Sequence, residues 1–296
     1  MTGGRIVTLS YLYTPADNNR RLAGAFGHGA DAVIADLEDS VAAVAKEQAR
    51  TNIREWLRRR QATDGEHWVR TNAGLSGLDD IAAVFTPGVF GFCLPKVSSP
   101  VELRQAAELL DSLEARFHLP SQSIRLMPLI ESAEAIVALT EIAQSPRVLK
   151  LQLGELDLAA DLGIDPDLNE TELLPLRMQA LVASIAAGIL PPVGAVSRNF
   201  IDDEAFRIST ERLKRLGYVG RAAIHPNQLP TIHHAFSATA DEVAIARSLV
   251  ERYERSVAAG TGAFRGVDGT MIDEAVIRSS RRILSLFNTE RKQENS

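Results

Sequence analysis

One cysteine, Cys93, stands in a chain of 296 residues. That excludes an internal disulfide and a cysteine-rich zinc site, and it permits a reducing compartment. Basic charge is not in excess. Against 38 Asp and Glu there are 32 Lys and Arg, a formal net charge of −6, so neither nucleic acid nor a membrane is expected as a partner. No apolar stretch approaches the roughly 20 residues of a membrane span. The opening MTGGRIVTLSYLY lacks a signal peptide's apolar run and small-residue cleavage site, so a cytoplasmic location is expected. The phosphate-cradling patterns GxGxxG and GxxxxGK(S/T) are missing, as are solenoid repeats and low-complexity tracts.

What is there is an alternation. Hydrophobic residues make up 45% and charged residues 24%, a globular balance. Eight short apolar runs recur: 6–13, 32–37, 67–71, 89–94, 124–130, 148–153, 189–196 and 219–224. They lack in/out alternation and read as strands buried on both faces, as in parallel sheets. Amphipathic segments lie between them, at 17–28, 44–60, 132–144, 172–187 and 203–216. In the segment after Ser98–Ser99–Pro100, Leu103, Ala106, Leu110 and Leu113 form one stripe, with a serine cap and an early proline. Gly29 and Gly217 stand where helices stop. The pattern predicts an α/β fold, a (β/α)8 TIM barrel over residues 1–235, with a doubly wound open sheet as the alternative. Residues 236–296 read as a C-terminal helical extension, with helices at 240–258 and 271–287 around a glycine-rich turn region, 260–269.

In a parallel barrel the C-terminal strand ends share one face, where active sites are built. Here those ends carry Asp36, Glu38 and Asp39, then Arg70, Lys96, Glu131, Glu155 with Asp157, and His225. Several carboxylates on one mouth repel one another. A hard divalent cation removes that conflict, and oxygen donors without thiolates favour Mg2+. Glu131 and Asp157 are the candidate metal ligands. Asp36, Glu38 and Glu155 would orient ligand waters or the arginine. The plainer alternative is that these acids solvate strand ends or pair with Lys46, Arg50 and Lys96. Arg70, a planar permanent cation, suits a carboxylate, enolate or thioester oxygen and can equally bridge to Asp36 or Glu38. Lys96 fits a charge network better than imine chemistry. His225 reads as structural, and His233 and His234 as exposed helix residues.

The motifs ADAVIADLEDSV, VRTN, LPKV, PLIESAEA, GELDLAADLG, GRAAIHPNQ and DGTMID, in this order, resemble the citrate lyase beta-subunit/malyl-CoA lyase family, within the phosphoenolpyruvate/pyruvate-dependent TIM-barrel superfamily. The resemblance runs from about Leu12 to Leu284. It implies a Mg2+-dependent, reversible carbon–carbon lyase that splits a 3-hydroxy-3-carboxyacyl-CoA, such as malyl-CoA or citramalyl-CoA, into acetyl-CoA and a 2-oxo acid, glyoxylate or pyruvate. Glu131 and Asp157 fall on the metal ligands, Arg70 on the arginine at the thioester/enolate end, and Tyr13 on an aromatic that lines the substrate site. The resemblance further implies a homotrimer or dimer of trimers, whose C-terminal extension is a lid over a neighbouring subunit. The proton-transfer acid then corresponds to Asp273, with Asp268 as second choice, although Asp273 also suits a helix N-terminus on charge alone. The first motif departs from the family pattern, reading Leu9-Ser10-Tyr11-Leu12-Tyr13-Thr14-Pro15-Ala16, and Gly194 stands where an acid is usual. Three alternatives accompany this reading: a citrate lyase beta subunit acting on an acyl-carrier thioester, a CoA-independent aldolase, and a non-catalytic regulatory homologue.

Overall fold

A computed structural model describes residues 8–61, 64–199, 201–266 and 269–294, side chains from 285 onward excepted. The chain divides into two compact units, one spanning Thr8–Ala235 and one that takes in Phe236 onward.

The first unit is a seven-stranded parallel sheet, ordered β6-β5-β4-β3-β2-β1-β7. Its strands are β1 Ser10–Pro15, β2 Ala32–Asp36, β3 Glu66–Arg70, β4 Gly91–Leu94, β5 Arg125–Ile130, β6 Gln152–Leu153 and β7 Arg221–Ala223. Connecting helices are α1 Asn19–Gly24, α2 Lys46–Arg58, α3 Leu75–Val84, α4 Pro100–Arg116, α5 Ala133–Val137, α6 Leu139–Ala143, α7 Glu155–Leu162, α8 Leu174–Ala186, α9 Asp203–Leu216 and α10 Leu229–Phe236. As the sequence suggests, Ser99 caps α4 in a reciprocal box with Glu102, with Pro100 in the first turn. Gly29 and Gly217 take left-handed conformations at helix ends, with φ of 84° and 102°.

Both sheet faces are buried, which explains the unbroken apolar runs. One set of alternate positions forms an interior cluster, including Tyr11, Ile34, Trp68, Cys93, Met127 and Leu129. The other set, among them Val33, Val69, Phe92 and Ile130, is buried as well. Gly91 makes room for the largest interior ring: a Cβ there would come within 2.5 Å of Trp68 Cζ3.

The expected strand at 189–196 is not a strand. It contributes two isolated parallel bridges, Gln152↔Val193 and Gly194↔Arg221. Pro191 and Pro192 are the physical reason, because neither has an N–H to give a ladder. Backbone bonds resume on either side, from Leu190 N–H to Leu149 O and from Val193 N–H to Leu151 O, at 2.9 and 2.8 Å. The observed sheet is therefore a seven-stranded parallel curl in place of the eight regular strands expected. The segment 132–144, read as one helix, is two, α5 and α6, separated at Ala138.

The second unit contains α11 Ala240–Ala258, an antiparallel pair β8 Phe264–Arg265 and β9 Met271–Ile272, and α12 Glu274–Glu294. Its small core joins Tyr253, Ile272 and Ile277. Strand β8 thus lies in the region read as a glycine-rich turn, while β9 takes the first residues of the segment read as a helix from 271, and that helix starts at Glu274. No described helix is long and apolar enough to cross a membrane.

Candidate active site

The interior positions of the strands step in twos, and four of the ladders end in a polar group. Tyr11 is followed by Tyr13, Ile34 by Asp36, Trp68 by Arg70, and Leu129 by Glu131. Strand register sets Pro15, Asp36 and Arg70 side by side at the C-terminal edge. A cavity of about 450 Å³ opens there, lined by Tyr13, Asp36, Asp39, Arg70, Glu131, Gln152, Glu155 and Asp157, among others. Of the residues singled out from the sequence, seven therefore share one cavity: Tyr13, Asp36, Asp39, Arg70, Glu131, Glu155 and Asp157.

Arg70 is gripped on two edges. Its Nε and Nη2 donate to the two Asp36 oxygens, both at 2.7 Å, and Nη1 lies 2.9 Å from Glu38 Oε2. The guanidinium carbon stands 5.0 Å from the centre of the Tyr13 ring. Burial raises the Asp36 carboxyl, but Arg70, the Ser40 hydroxyl and the Glu38 amide outweigh it and hold the group below its usual range. Glu38 goes the other way, lifted by burial against Arg70. Its Oε1 is buried without a hydrogen bond, with Lys96 Nζ only at ion-pair distance, 3.4 Å. Lys96 thus belongs to the charge network.

Glu131 is 7% exposed. Burial pushes its carboxyl up to about 7; the Lys96 amide works against that, and the charges of Glu38 and Asp157 add to it. Asp157 is exposed, in the first turn of α7 at the cavity wall. Glu155 holds a different arginine from the one anticipated: Arg177 of α8 donates from Nε and Nη2 to its two oxygens, both at 2.6 Å. Among the described residues no three His, Cys, Asp or Glu side chains converge as a cage. The fit to a metal is therefore to a cation that takes two carboxylates and completes its shell from solvent or substrate. Oxygen-only donors and a carboxylate raised by burial first and by neighbouring negative charge second suit a hard ion such as Mg2+.

Two partners went unseen in the sequence. The Tyr13 hydroxyl donates to Gln152 Oε1 at 3.0 Å, and buried Lys150 donates to the Tyr11 hydroxyl. Their signal was present, as polar residues at alternate positions of the apolar LKLQL segment. His225 is structural, its Nδ1 accepting the Asn227 N–H at 3.2 Å. His234 is exposed, but His233 corrects expectation: it is partly buried, with Nε2 2.9 Å from Ser10 Oγ and 3.2 Å from Asp31 Oδ2. In the second unit Asp273 accepts the N–H groups of Ala275 and Val276 and caps α12. Asp268 lies outside the described residues.

With this geometry in place, the family model HpcH/HpaI aldolase/citrate lyase matches residues 9–226. The chain belongs to the HpcH/HpaI aldolase/citrate lyase family. Among its relatives, the citrate lyase subunit beta of Leuconostoc mesenteroides subsp. cremoris is 30% identical over 284 residues, covering 94% of this chain and 92% of that protein. A (3S)-malyl-CoA thioesterase of Cereibacter sphaeroides is 30% identical over 93% of each chain. The structure of CitE from Mycobacterium tuberculosis, in complex with magnesium, acetoacetate and coenzyme A, superposes with a TM-score of 0.77 at 26% identity. It covers 95% of this chain and 98% of that one. The family is enzymatic and of the lyase/aldolase type.

Proposed function

We propose that this chain is a Mg2+-dependent carbon–carbon lyase that cleaves, reversibly, a 3-hydroxy-3-carboxyacyl-CoA such as malyl-CoA or citramalyl-CoA to acetyl-CoA and a 2-oxo acid. The observation that carries the reading is the buried Glu131 carboxylate beside Asp157, in the same cavity as a fully ionised Arg70. Glu131 and Asp157 would hold the metal. When bound, the ion polarises the substrate oxygen on the carbon that becomes the oxo acid's carbonyl.

The protein's own groups do the rest. The carbinol hydroxyl gives its proton to solvent and its electron pair closes the oxo acid's carbonyl; as the bond between the carbinol carbon and the methylene carbon breaks, that bond's electron pair passes to the methylene carbon and spreads into the thioester carbonyl as an enolate. Arg70, locked by Asp36 and Glu38, presents fixed positive charge to that developing anion without reorganising. Tyr13, stacked on Arg70 and tied to Gln152, walls the thioester side. The methylene carbon then takes a proton, which we assign to Asp273. The parallel sheet and its two bridges at Val193 and Gly194 support a closed (β/α)8 barrel, and we extend the reading to a homo-oligomer, a trimer or dimer of trimers, with residues 236–296 as its lid.

The citrate lyase relatives favour a second reading with the same chemistry, in which an acyl-carrier protein carries a citryl thioester. One experiment separates these outcomes. Malyl-CoA or citramalyl-CoA is incubated with the protein and Mg2+ or EDTA, and both 2-oxo acid and free thiol are followed. The lyase releases oxo acid and acetyl-CoA without thiol, and EDTA stops it. Thiol without oxo acid would make it a thioesterase, and turnover confined to a citryl-carrier thioester would select the second reading.

A further inference from the structure

The Glu131 carboxylate is bounded by backbone on two sides. Its Oε2 accepts the main-chain N–H of Lys96 at 2.8 Å. On the other side lies Gly154, where an added Cβ would stand 2.3 Å from Glu131 Cγ and 2.4 Å from Oε1. No real Cβ sits that close to a neighbour. Gly154 is not needed for its torsions, since φ −90° and ψ 76° are open to side chains. Nor can its backbone retreat. Its N–H is bonded to Ile130 O and its carbonyl accepts the Leu158 N–H, both at 3.0 Å, so it is pinned between β5 and α7.

Lys96 supplies the opposite constraint. Its φ of 54° is left-handed, a conformation that side chains rarely adopt. That turn aims the amide at Glu131 while the ammonium reaches toward Glu38. The main chain of Lys96, and not its charge, is what Glu131 touches.

We propose that Gly154 and Lys96 are positioning residues for Glu131: the absent Cβ of one and the left-handed amide of the other fix where the carboxylate presents its oxygens. This rests on Glu131 being a metal ligand. Gly154→Ala, Lys96→Gly, Glu131→Ala and the double variant Glu131→Ala/Gly154→Ala are compared with the full-length parent. The readouts are Mn2+ affinity by electron paramagnetic resonance, urea midpoints and metal-free crystal structures.

In crystals, Gly154→Ala should drive the Glu131 carboxylate off the Lys96 amide, and its Mn2+ affinity should fall roughly 10- to 100-fold. In the Glu131→Ala background, where Cγ and the carboxylate are gone, the same methyl should shift the urea midpoint by less than half as much as it does in the parent, a non-additivity that general destabilisation does not produce. Lys96→Gly keeps the amide and should bind Mn2+ within about threefold of the parent; a loss as large as that of Gly154→Ala would overturn the role of the amide. An unmoved Glu131 in the Gly154→Ala crystal, or equal midpoint shifts in both backgrounds, overturns the proposal. If Gly154→Ala does not fold, recovery of folding in the Glu131→Ala background supports the clash, and failure to recover refutes it. A parent that binds no Mn2+ defeats the functional reading instead, while the crystal comparison still decides the positioning claim.

Discussion

Arg70 shows how one side chain is made into a fixed charge. Its planar fork meets both Asp36 oxygens and one of Glu38, and its ring-facing side rests on Tyr13. Lysine has a point charge in place of the fork. Arg70→Lys therefore leaves at least one oxygen of Asp36, a residue 2% exposed, without its charged donor and held only by the Glu38 amide or by Ser40. Losing a charge-assisted hydrogen bond to a buried carboxylate costs about 2 kcal/mol. The substitution is expected to lower the unfolding free energy by that order in urea titrations and to reduce kcat/KM roughly 100-fold through lost anion stabilisation. A stability change within about 0.5 kcal/mol would mean that the pair is screened as a surface ion pair is.

The same kind of pairing anchors α7. Asp157 and Glu155 both lie in its first turn, and Glu155 is tied to Arg177, a 1% exposed arginine of α8 that also reaches Glu170 at 2.9 Å. Arg177→Met is expected to destabilise the fold by roughly 3 kcal/mol, because Glu155 loses its cation and Glu170 keeps only Arg212, at 3.6 Å. Amide hydrogen exchange should quicken across 155–162 while α2 keeps its protection; uniform exchange in both helices would show that the pair does not anchor α7. None of this was visible in the sequence, where Glu155 and Arg177 stand 22 positions apart with no pattern linking them. The β/α alternation was visible, because each strand is buried on both faces, and so was the Ser99 cap. Legible too, at one remove, was the cavity: the period of two that buries Ile34, Trp68 and Leu129 continues into Asp36, Arg70 and Glu131. The helical start at Glu155 was hidden because GELD reads equally well as a strand end. The Pro191–Pro192 interruption was in plain sight. His233 was misjudged because its partners, Ser10 and Asp31, come from the other end of the unit.

Acid stability joins these parts, since several buried groups titrate between the folded and unfolded chain. His67 lies between the Phe26 and Trp56 rings, with centroids 4.6 and 4.5 Å away. Its Nδ1 is 3.1 Å from Gly65 O, and its Nε2 has no hydrogen bond. Burial lowers its pKa to about 4, against the Gly65 carbonyl and Asp64, which raise it. An unfolded histidine titrates near 6.5, so between about 6.5 and 4 the unfolded chain binds the extra proton and stability falls as pH falls. Glu114 loses its contribution later: despite burial, Arg147 and the Ile124 and Gln122 amides hold it at about 2, so its share disappears from about 4.5 downward. Glu131 has the opposite sign, because a carboxyl raised to about 7 is better tolerated protonated. Comparing the parent with His67→Phe cancels the Glu131 and Glu114 terms. The metal-free parent should lose roughly 3 kcal/mol more than His67→Phe between pH 7 and pH 4. Urea midpoints at the two pH values measure this directly, and parallel losses in the two proteins would mean that His67 takes up its proton as readily in the native fold as in the unfolded chain.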